Sequence, residues 1–189
     1  MTDLVIGADG KARCPWGSSP DYLAYHDTEW GQPQHGDEHL YERMTLEAFQ
    51  SGLSWLTILR KRENFRKAFG HFKIQTVAAY DEGDVARLLA DTGIVRNRQK
   101  VDAAIGNARA ALSVDGGLSK LLWSYAPPPR AHRPRSGAEV PAATPESTAM
   151  AKDLKKRGFR FVGPTTAYAL MQATGMVDDH LDGCHVPPH

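Results

Sequence analysis

Apolar residues along this chain return at intervals of three and four, the period of a helix with one buried face. From Asp37, a capping residue, the pattern runs to Gln50, with Leu40, Met44, Glu47 and Ser51 on related turns. A second stretch spans about Leu53 to Phe69 and stops at Gly70. Asp84 to Ala90 carries Val85, Leu88 and Leu89 and ends ahead of Gly93, read as a left-handed cap. Arg98 to Leu112 repeats the spacing through Val101, Ala104, Ile105, Ala108 and Leu112, and Leu118 to Tyr125 forms a short apolar helix. That helix stops at Pro127-Pro128-Pro129, and the whole stretch from Ala126 to Ala143, rich in proline, alanine and arginine, reads as a surface loop or tether. Thr144 as cap and Pro145 at the first helical position restart a helix to Arg157, and Pro164 opens another to Ala173, closed by Gly175. No alternating strand pattern and no repeat is visible, so the expected fold class is all-α.

With 189 residues the chain is expected to form a single domain over 1–189, with 1–12 a flexible extension and 126–143 the proline-rich loop. No apolar run approaches the roughly 18 residues of a membrane span. The expected setting is therefore the cytoplasm, with no membrane partner and a monomer as the default state. A net charge of +1 means that any contact with nucleic acid must come from local clusters. Three exist: Arg60, Lys61, Arg62, Arg66 and Lys67; Arg96, Arg98 and Lys100; and Lys155, Lys156, Arg157 and Arg160. Each alone is equally the solvated face of a helix.

Chemistry enters with the cysteines, of which there are only two. Cys14 is followed by His26 with eleven residues between them, and Cys184 is preceded by His180 with three residues between them. Two thiols and two imidazoles make a closed tetrahedral zinc shell of the structural kind. The spacing alone leaves two other readings open: unrelated thiols and surface histidines, or a disulfide, which a reducing cytosol disfavours. The segment Lys155-Lys156-Arg157-Gly158-Phe159-Arg160-Phe161-Val162-Gly163 joins two helices through a basic, aromatic turn bracketed by glycines. It resembles a helix-hairpin-helix DNA element, in which glycines let the backbone approach phosphate and the amides of the next helix favour anions. An ordinary αα-hairpin with a glycine turn is the plainer alternative.

Several blocks together carry a wider resemblance: Arg13-Cys14-Pro15-Trp16, Ala24-Tyr25-His26-Asp27-Thr28-Glu29-Trp30-Gly31, Leu46-Glu47 with Gly52-Leu53-Ser54-Trp55, and Gly93-Ile94-Val95-Arg96-Asn97-Arg98. With Lys155 to Gly163 and His180-x3-Cys184, they make roughly Ala12 to Pro187 similar to the 3-methyladenine DNA glycosylase I family of bacterial base-excision repair. That resemblance implies a helix-hairpin-helix glycosylase with a zinc-bearing lobe joining the N- and C-terminal segments. It implies one structural Zn2+ on Cys14, His26, His180 and Cys184. Glu47 matches the family's pocket carboxylate and is the expected catalytic residue, while Tyr25 and Trp55 match its base-contacting aromatics. Trp16 and Trp30 lie in blocks that line or support the pocket. Gly52 and Leu53 match the segment that fills the vacated stack, and Gly158, Arg160 and Gly163 belong to the hairpin expected to grip duplex DNA containing alkylated bases.

The implied activity is monofunctional hydrolysis of the N-glycosidic bond of 3-methyladenine, with the base flipped into an aromatic and carboxylate pocket. The residue types suit that chemistry, because an N3-methylated base is cationic and departs readily, so the pocket must chiefly recognise it. The hairpin has no lysine at the usual nucleophile position, so strand cleavage through a Schiff base is not expected. Asp178 and Asp179 occupy the region of the superfamily's catalytic aspartate, but beside His180 Asp179 is expected to order the metal loop or cap a turn. Arg130, Arg133 and Arg135 either reach a phosphate backbone or merely solubilise the loop. Two rivals remain: a lesion-binding module without catalysis, and a small-molecule hydrolase with an open zinc and a general base such as Glu29.

Overall fold

The computed structural model describes residues 3–188, and helices dominate it: α1 (Leu23–Thr28), α2 (Asp37–Gln50), α3 (Trp55–Ala68), α4 (Ile74–Ala78), α5 (Glu82–Ala90), α6 (Arg98–Leu112), α7 (Leu118–Trp123), α8 (Pro145–Lys156) and α9 (Pro164–Ala173). Helix α2 is central. Leu40, Tyr41, Met44, Leu46 and Phe49 are all at most 1% exposed, and even Arg43, Thr45 and Glu47 are buried. A helix with apolar residues on every side must be surrounded, and α2 meets α3, α6, α7 and α9. Phe49, Phe65, Phe69 and Phe72 interlock on one flank, with Phe69 and Phe72 stacked at 5.6 Å. Tyr41, fully buried, donates its hydroxyl to the Ala104 carbonyl at 2.8 Å, which satisfies the polar end of an otherwise apolar contact.

Local chemistry shifts several boundaries. Gly36, at φ +95°, caps α2 in place of Asp37, which is the first helical residue and accepts instead from the Ser119 amide at 2.7 Å. Helix α3 begins two residues later than its apolar pattern, at Trp55, where the Ser54 hydroxyl accepts from the Thr57 amide. Asp81 and Asp84 form a capping box that starts α5 at Glu82. Gly93 is not a left-handed cap: its φ is ordinary, and it is glycine because a Cβ would meet Asp91 Oδ1 at 2.9 Å and Asn64 at 3.2 Å. Helices α1 and α4, with six and five residues, are too short for periodicity to reveal.

The helical class holds, but two strands of two residues each were not expected. Val5–Ile6 pairs antiparallel with Ala12–Arg13 around Gly10 at φ +75°. The segment expected to be a flexible extension thus carries a hairpin from Val5 onward. Arg13 explains it, because its guanidinium bonds both Asp9 and Asp27 and ties the hairpin to α1. The proline-rich loop is likewise anchored. Arg130 pairs with Asp179, and Arg133 donates to Asp178 at 2.7 Å and to the Val186 carbonyl at 2.7 Å, so neither is left for phosphate.

Candidate active site and metal centre

The ends of the chain meet at four buried residues. Cys14 follows the short hairpin, His26 sits on α1, and His180 and Cys184 lie in the segment after α9. Their ligand atoms all fall within 4.8 Å of one another, and both cysteines are free, which removes the disulfide reading. The sulfur–nitrogen separations are 3.8 Å (Cys14 to His180 Nδ1), 3.7 Å (Cys184 to His26 Nε2) and 3.6 Å (Cys184 to His180 Nδ1). A tetrahedral zinc with ordinary bond lengths puts sulfur and nitrogen about 3.6 Å apart along its edges. The donor set therefore fits one zinc ion with no open position.

Surrounding groups fix which nitrogen would face an ion. His26 Nδ1 is 2.8 Å from Asp27 Oδ1, leaving Nε2 inward, and His180 Nε2 is 3.0 Å from the Trp30 carbonyl, leaving Nδ1 inward. The Leu181 amide donates to Cys14 Sγ at 3.3 Å, support suited to a thiolate. The hydrogen bond from Cys14, together with those of the two histidines, pulls the Cys184 thiol far below its ordinary range, while Cys14 is pushed up. Burial alone would raise Asp27, yet hydrogen bonds from Arg13, His26 and His185 hold it below the usual carboxylate range. Neither Arg13 nor Asp27 stands out by spacing, although Asp27 adjoins His26 in the sequence.

Next to this centre lies a cavity of about 270 Å³ lined by Trp16, Tyr22, Tyr25, Trp30, Glu47, Gln50, Trp55, Ala169 and Gln172. Two tryptophans join pocket to metal centre: Trp16 stands edge-on to His26 at 5.1 Å, and Trp30 edge-on to His180 at 4.7 Å. They meet each other at 4.8 Å, and Tyr25 meets Trp55 at 5.4 Å. Thus Tyr25, Trp55, Trp30, Trp16 and Glu47, from four separate stretches of chain, share one cavity. The sequence did not point to Tyr22, Gln50, Ala169 and Gln172, and the signal for Gln172 is a lone amide within an apolar helix.

Glu47 is 6% exposed. Burial pushes its carboxyl up to about 8, opposed by the charge of Arg43 one turn earlier on α2. No hydrogen-bond donor of the described residues reaches it. Arg43 lies over the Tyr25 ring at 5.4 Å and donates to Glu29 at 2.7 Å, while Arg62 grips both oxygens of Glu29 at 2.6 and 2.9 Å. Burial would raise Glu29, but the two arginines hold it low. So bound, Glu29 cannot serve a metal as general base. Trp55 Nε1 and Arg43 Nη1 are buried with no partner among the described residues. Such orphaned donors typically cost about 1–3 kcal/mol each until something accepts from them.

Beside the pocket, Gln50 ends α2, and Ser51, Gly52, Leu53 and Ser54 form an exposed turn, with Gly52 at φ +78° and Leu53 42% exposed. Buried Lys100, another residue that sequence reading passed over as part of a surface cluster, donates to the carbonyls of Phe49 at 2.9 Å and Ser51 at 2.6 Å. It closes the C-terminus of α2 and holds the base of that turn.

Helix α9 packs on both α2 and α8, and its two ends differ in use. The C-terminal end carries Ala169 and Gln172 to the cavity; the N-terminal end completes the glycine-bracketed hairpin. Gly158 has φ +90°, Gly163 caps α9 in an extended conformation, and a Cβ at either would meet open space. Phe159 and Val162 turn into the core while Arg160 is exposed. Asn107, 1% exposed on α6, braces the hairpin by donating to the Arg160 carbonyl at 3.0 Å and accepting from its amide at 2.8 Å. Of the three basic clusters, Arg60, Arg62, Arg66 and Arg98 are held in ion pairs, whereas Lys155, Lys156 and Arg160 face solvent.

A larger crevice of about 680 Å³ lies beneath the proline-rich loop, against Trp123, His35 and Val177. It lacks the aromatic ring set and buried free carboxylate of the smaller cavity. No helix of the described residues is long and apolar enough to cross a membrane.

Residues 16–187 match the profile of the methyladenine glycosylase family. The DNA-3-methyladenine glycosylase 1 of Escherichia coli strain K12 is 47% identical over 177 residues, covering 91% of this chain and 95% of that protein. A crystal structure of 3-methyladenine DNA glycosylase I superposes with a TM-score of 0.89 at 47% identity, over 93% of this chain and 100% of the other. The Staphylococcus aureus enzyme, solved for the structural basis of 3-methyladenine recognition, gives a TM-score of 0.88 at 36% identity, over 94% and 97%.

Proposed function

Because this chain belongs to the methyladenine glycosylase family, we propose that it is a monofunctional DNA glycosylase that hydrolyses the N-glycosidic bond of 3-methyladenine in alkylated duplex DNA, initiating base-excision repair. The observation that carries this reading is a buried, unpaired carboxylate, Glu47, in a cavity walled by Tyr25, Trp55, Trp30 and Trp16. Aromatic faces attract a cationic ring by roughly 0.5–2 kcal/mol per contact. Raised to about 8 by burial, the Glu47 carboxyl holds its proton in the empty cavity; entry of the cationic base favours its release to solvent, and the resulting carboxylate accepts from the base's amine and ring edge and compensates the positive charge.

Residues 1–189 act as one glycosylase domain on this reading. The hairpin from Gly158 to Gly163, with Arg160, Lys155 and Lys156 exposed beside it, holds the backbone of one strand without reading sequence. Gly52 and Leu53 enter the duplex where the base leaves, which offsets part of the few kcal/mol that flipping costs. In the chemical step, the C1′–N9 electron pair stays with the base, turning a cation into a neutral leaving group. Water adds its oxygen to C1′ and gives up a proton to solvent. Glu47 stabilises the bound cation and, by surrounding it with oriented aromatics, holds the ring so that the bond is exposed to that water.

Cys14, His26, His180 and Cys184 would hold one Zn2+, which as a closed site supplies a crosslink between the chain ends and no chemistry on the substrate. Trp16 and Trp30 lean on two of these ligands, so the crosslink also sets one wall of the pocket.

The test is chromatography of free bases released from N-methylated duplex DNA by the native protein and by Glu47→Gln. Release of 3-methyladenine by the former and a loss of at least tenfold in the latter is expected. A folded, zinc-loaded native protein that releases none would leave a lesion-binding module as the better description.

A further inference from the structure

Resting on the proposed base pocket, we infer that Gln172 reads the exocyclic amine of the base, and that Asp179 determines which end of the Gln172 amide does so. Gln172 lines the cavity from the last turn of α9, together with Glu47 of α2 and Trp55 of α3. Its Nε2 donates to Asp179 Oδ2 at 2.9 Å. A carboxylate only accepts, so this bond fixes the amide orientation by chemistry: Nε2 belongs to Asp179, and Oε1 is the end left over. No donor of the described residues is bonded to Oε1. On this inference Oε1 turns to the cavity that Gln172 lines, which then has Glu47 on α2 and a second acceptor on α9.

Asp179 is built for this task. Its side chain is 0% exposed, and Arg130, Tyr168 (2.6 Å) and Gln172 all donate to it. Arg130 also donates to the Tyr168 hydroxyl at 3.0 Å, closing a ring of hydrogen bonds that leaves Asp179 no freedom to rotate. The position sought for a catalytic aspartate is therefore a positioning one, held away from water and aimed at Gln172. This also gives the proline-rich loop a role, since it supplies Arg130.

An acceptor at Oε1 matches the amine at C6 of an adenine ring, which has two N–H donors and can serve Glu47 and Gln172 together. A guanine ring carries a carbonyl oxygen at that position, which would set lone pair against lone pair. A site built to receive a donor rejects the analogue lacking it more strongly than an apolar wall does. Gln172 is thus a specificity residue favouring 3-methyladenine over 3-methylguanine.

The deciding experiment measures release of both bases from the same methylated duplex by native protein and Gln172→Met, with kcat and KM separated. Zinc content and melting temperature are checked first, and Gln172→Ala serves if the methionine variant does not fold. We expect kcat/KM for 3-methyladenine to fall about tenfold, the worth of one hydrogen bond, while 3-methylguanine release is unchanged or rises. Asp179→Asn, able to donate to Oε1 and so invert the Gln172 amide, should move the ratio further toward 3-methylguanine. Equal loss of both bases, or no change in either, overturns the inference while leaving the glycosylase reading intact. Absence of any methylated base with native protein removes both together.

Discussion

Glu47 makes the protein less stable as the pH rises, and by how much follows from its burial. The unfolded carboxyl titrates near its ordinary value of 4.5, whereas in the folded protein burial raises it to about 8. Between these values the unfolded state has lost the proton and the native state still holds it. Unfolding therefore becomes easier by about 1.4 kcal/mol per pH unit across that window, and the effect levels off above the native value. The full span is worth about 5 kcal/mol as an upper bound, and water entering an open cavity reduces it. Glu47→Gln removes the titration, so the variant should match the native protein at pH 4.5 and exceed it by at least 2 kcal/mol at pH 9. Urea denaturation of both proteins at several pH values reads the difference directly, because other titrating groups cancel in the comparison. A stability difference that does not vary with pH would refute the claim that Glu47 is buried without a compensating donor. The same substitution should reduce base release, so the group that costs stability is the one the proposed chemistry needs.

Three further outcomes test other parts of the molecule. Removing metal with a chelator at neutral pH should lower the melting temperature, corresponding to about 4 kcal/mol when free zinc had been a thousandfold above its Kd; an unchanged melting temperature with no zinc detected by elemental analysis would exclude the structural site. Lys100→Met leaves the Phe49 and Ser51 carbonyls without their donor, and denaturant titration should show a loss of about 2–3 kcal/mol. Leu53→Ala, at a side chain 42% exposed, should leave stability within about 0.5 kcal/mol while slowing excision from duplex DNA more than from single strands; equal slowing on both would argue against insertion into the stack.

Much of this fold is legible in the sequence because helices are local. Periodicity places α2, α3, α5, α6, α8 and α9 within a few residues, and the Thr144-Pro145 and Gly163-Pro164 starts stand where the structure has them. What misleads is chemistry that depends on partners distant in the chain. Asp37 looks like a cap but serves the Ser119 amide across 82 positions, and Gly93 looks left-handed but is small to clear Asn64. Arg130 and Arg133 look like solvated charges of a tether until Asp178 and Asp179 are brought beneath them.

The sequence by itself determined the helical class and the segments that become helices, because residue type and short spacing suffice for those; the four metal-ligand candidates were one of three readings of the spacing, and it was the resemblance to the glycosylase family that singled them out together with the aromatic and acidic pocket residues. Only the tertiary structure decided that Cys14 and Cys184 approach the same point from opposite ends of the chain. It also decided that Glu47 is buried beside a cavity with no hydrogen-bond donor of the described residues reaching it, and that Lys100, Asn107 and Asp27 are braces rather than surface groups. Burial and orientation are properties of packed neighbours, and the neighbours that matter here are separated by tens to more than a hundred and fifty residues.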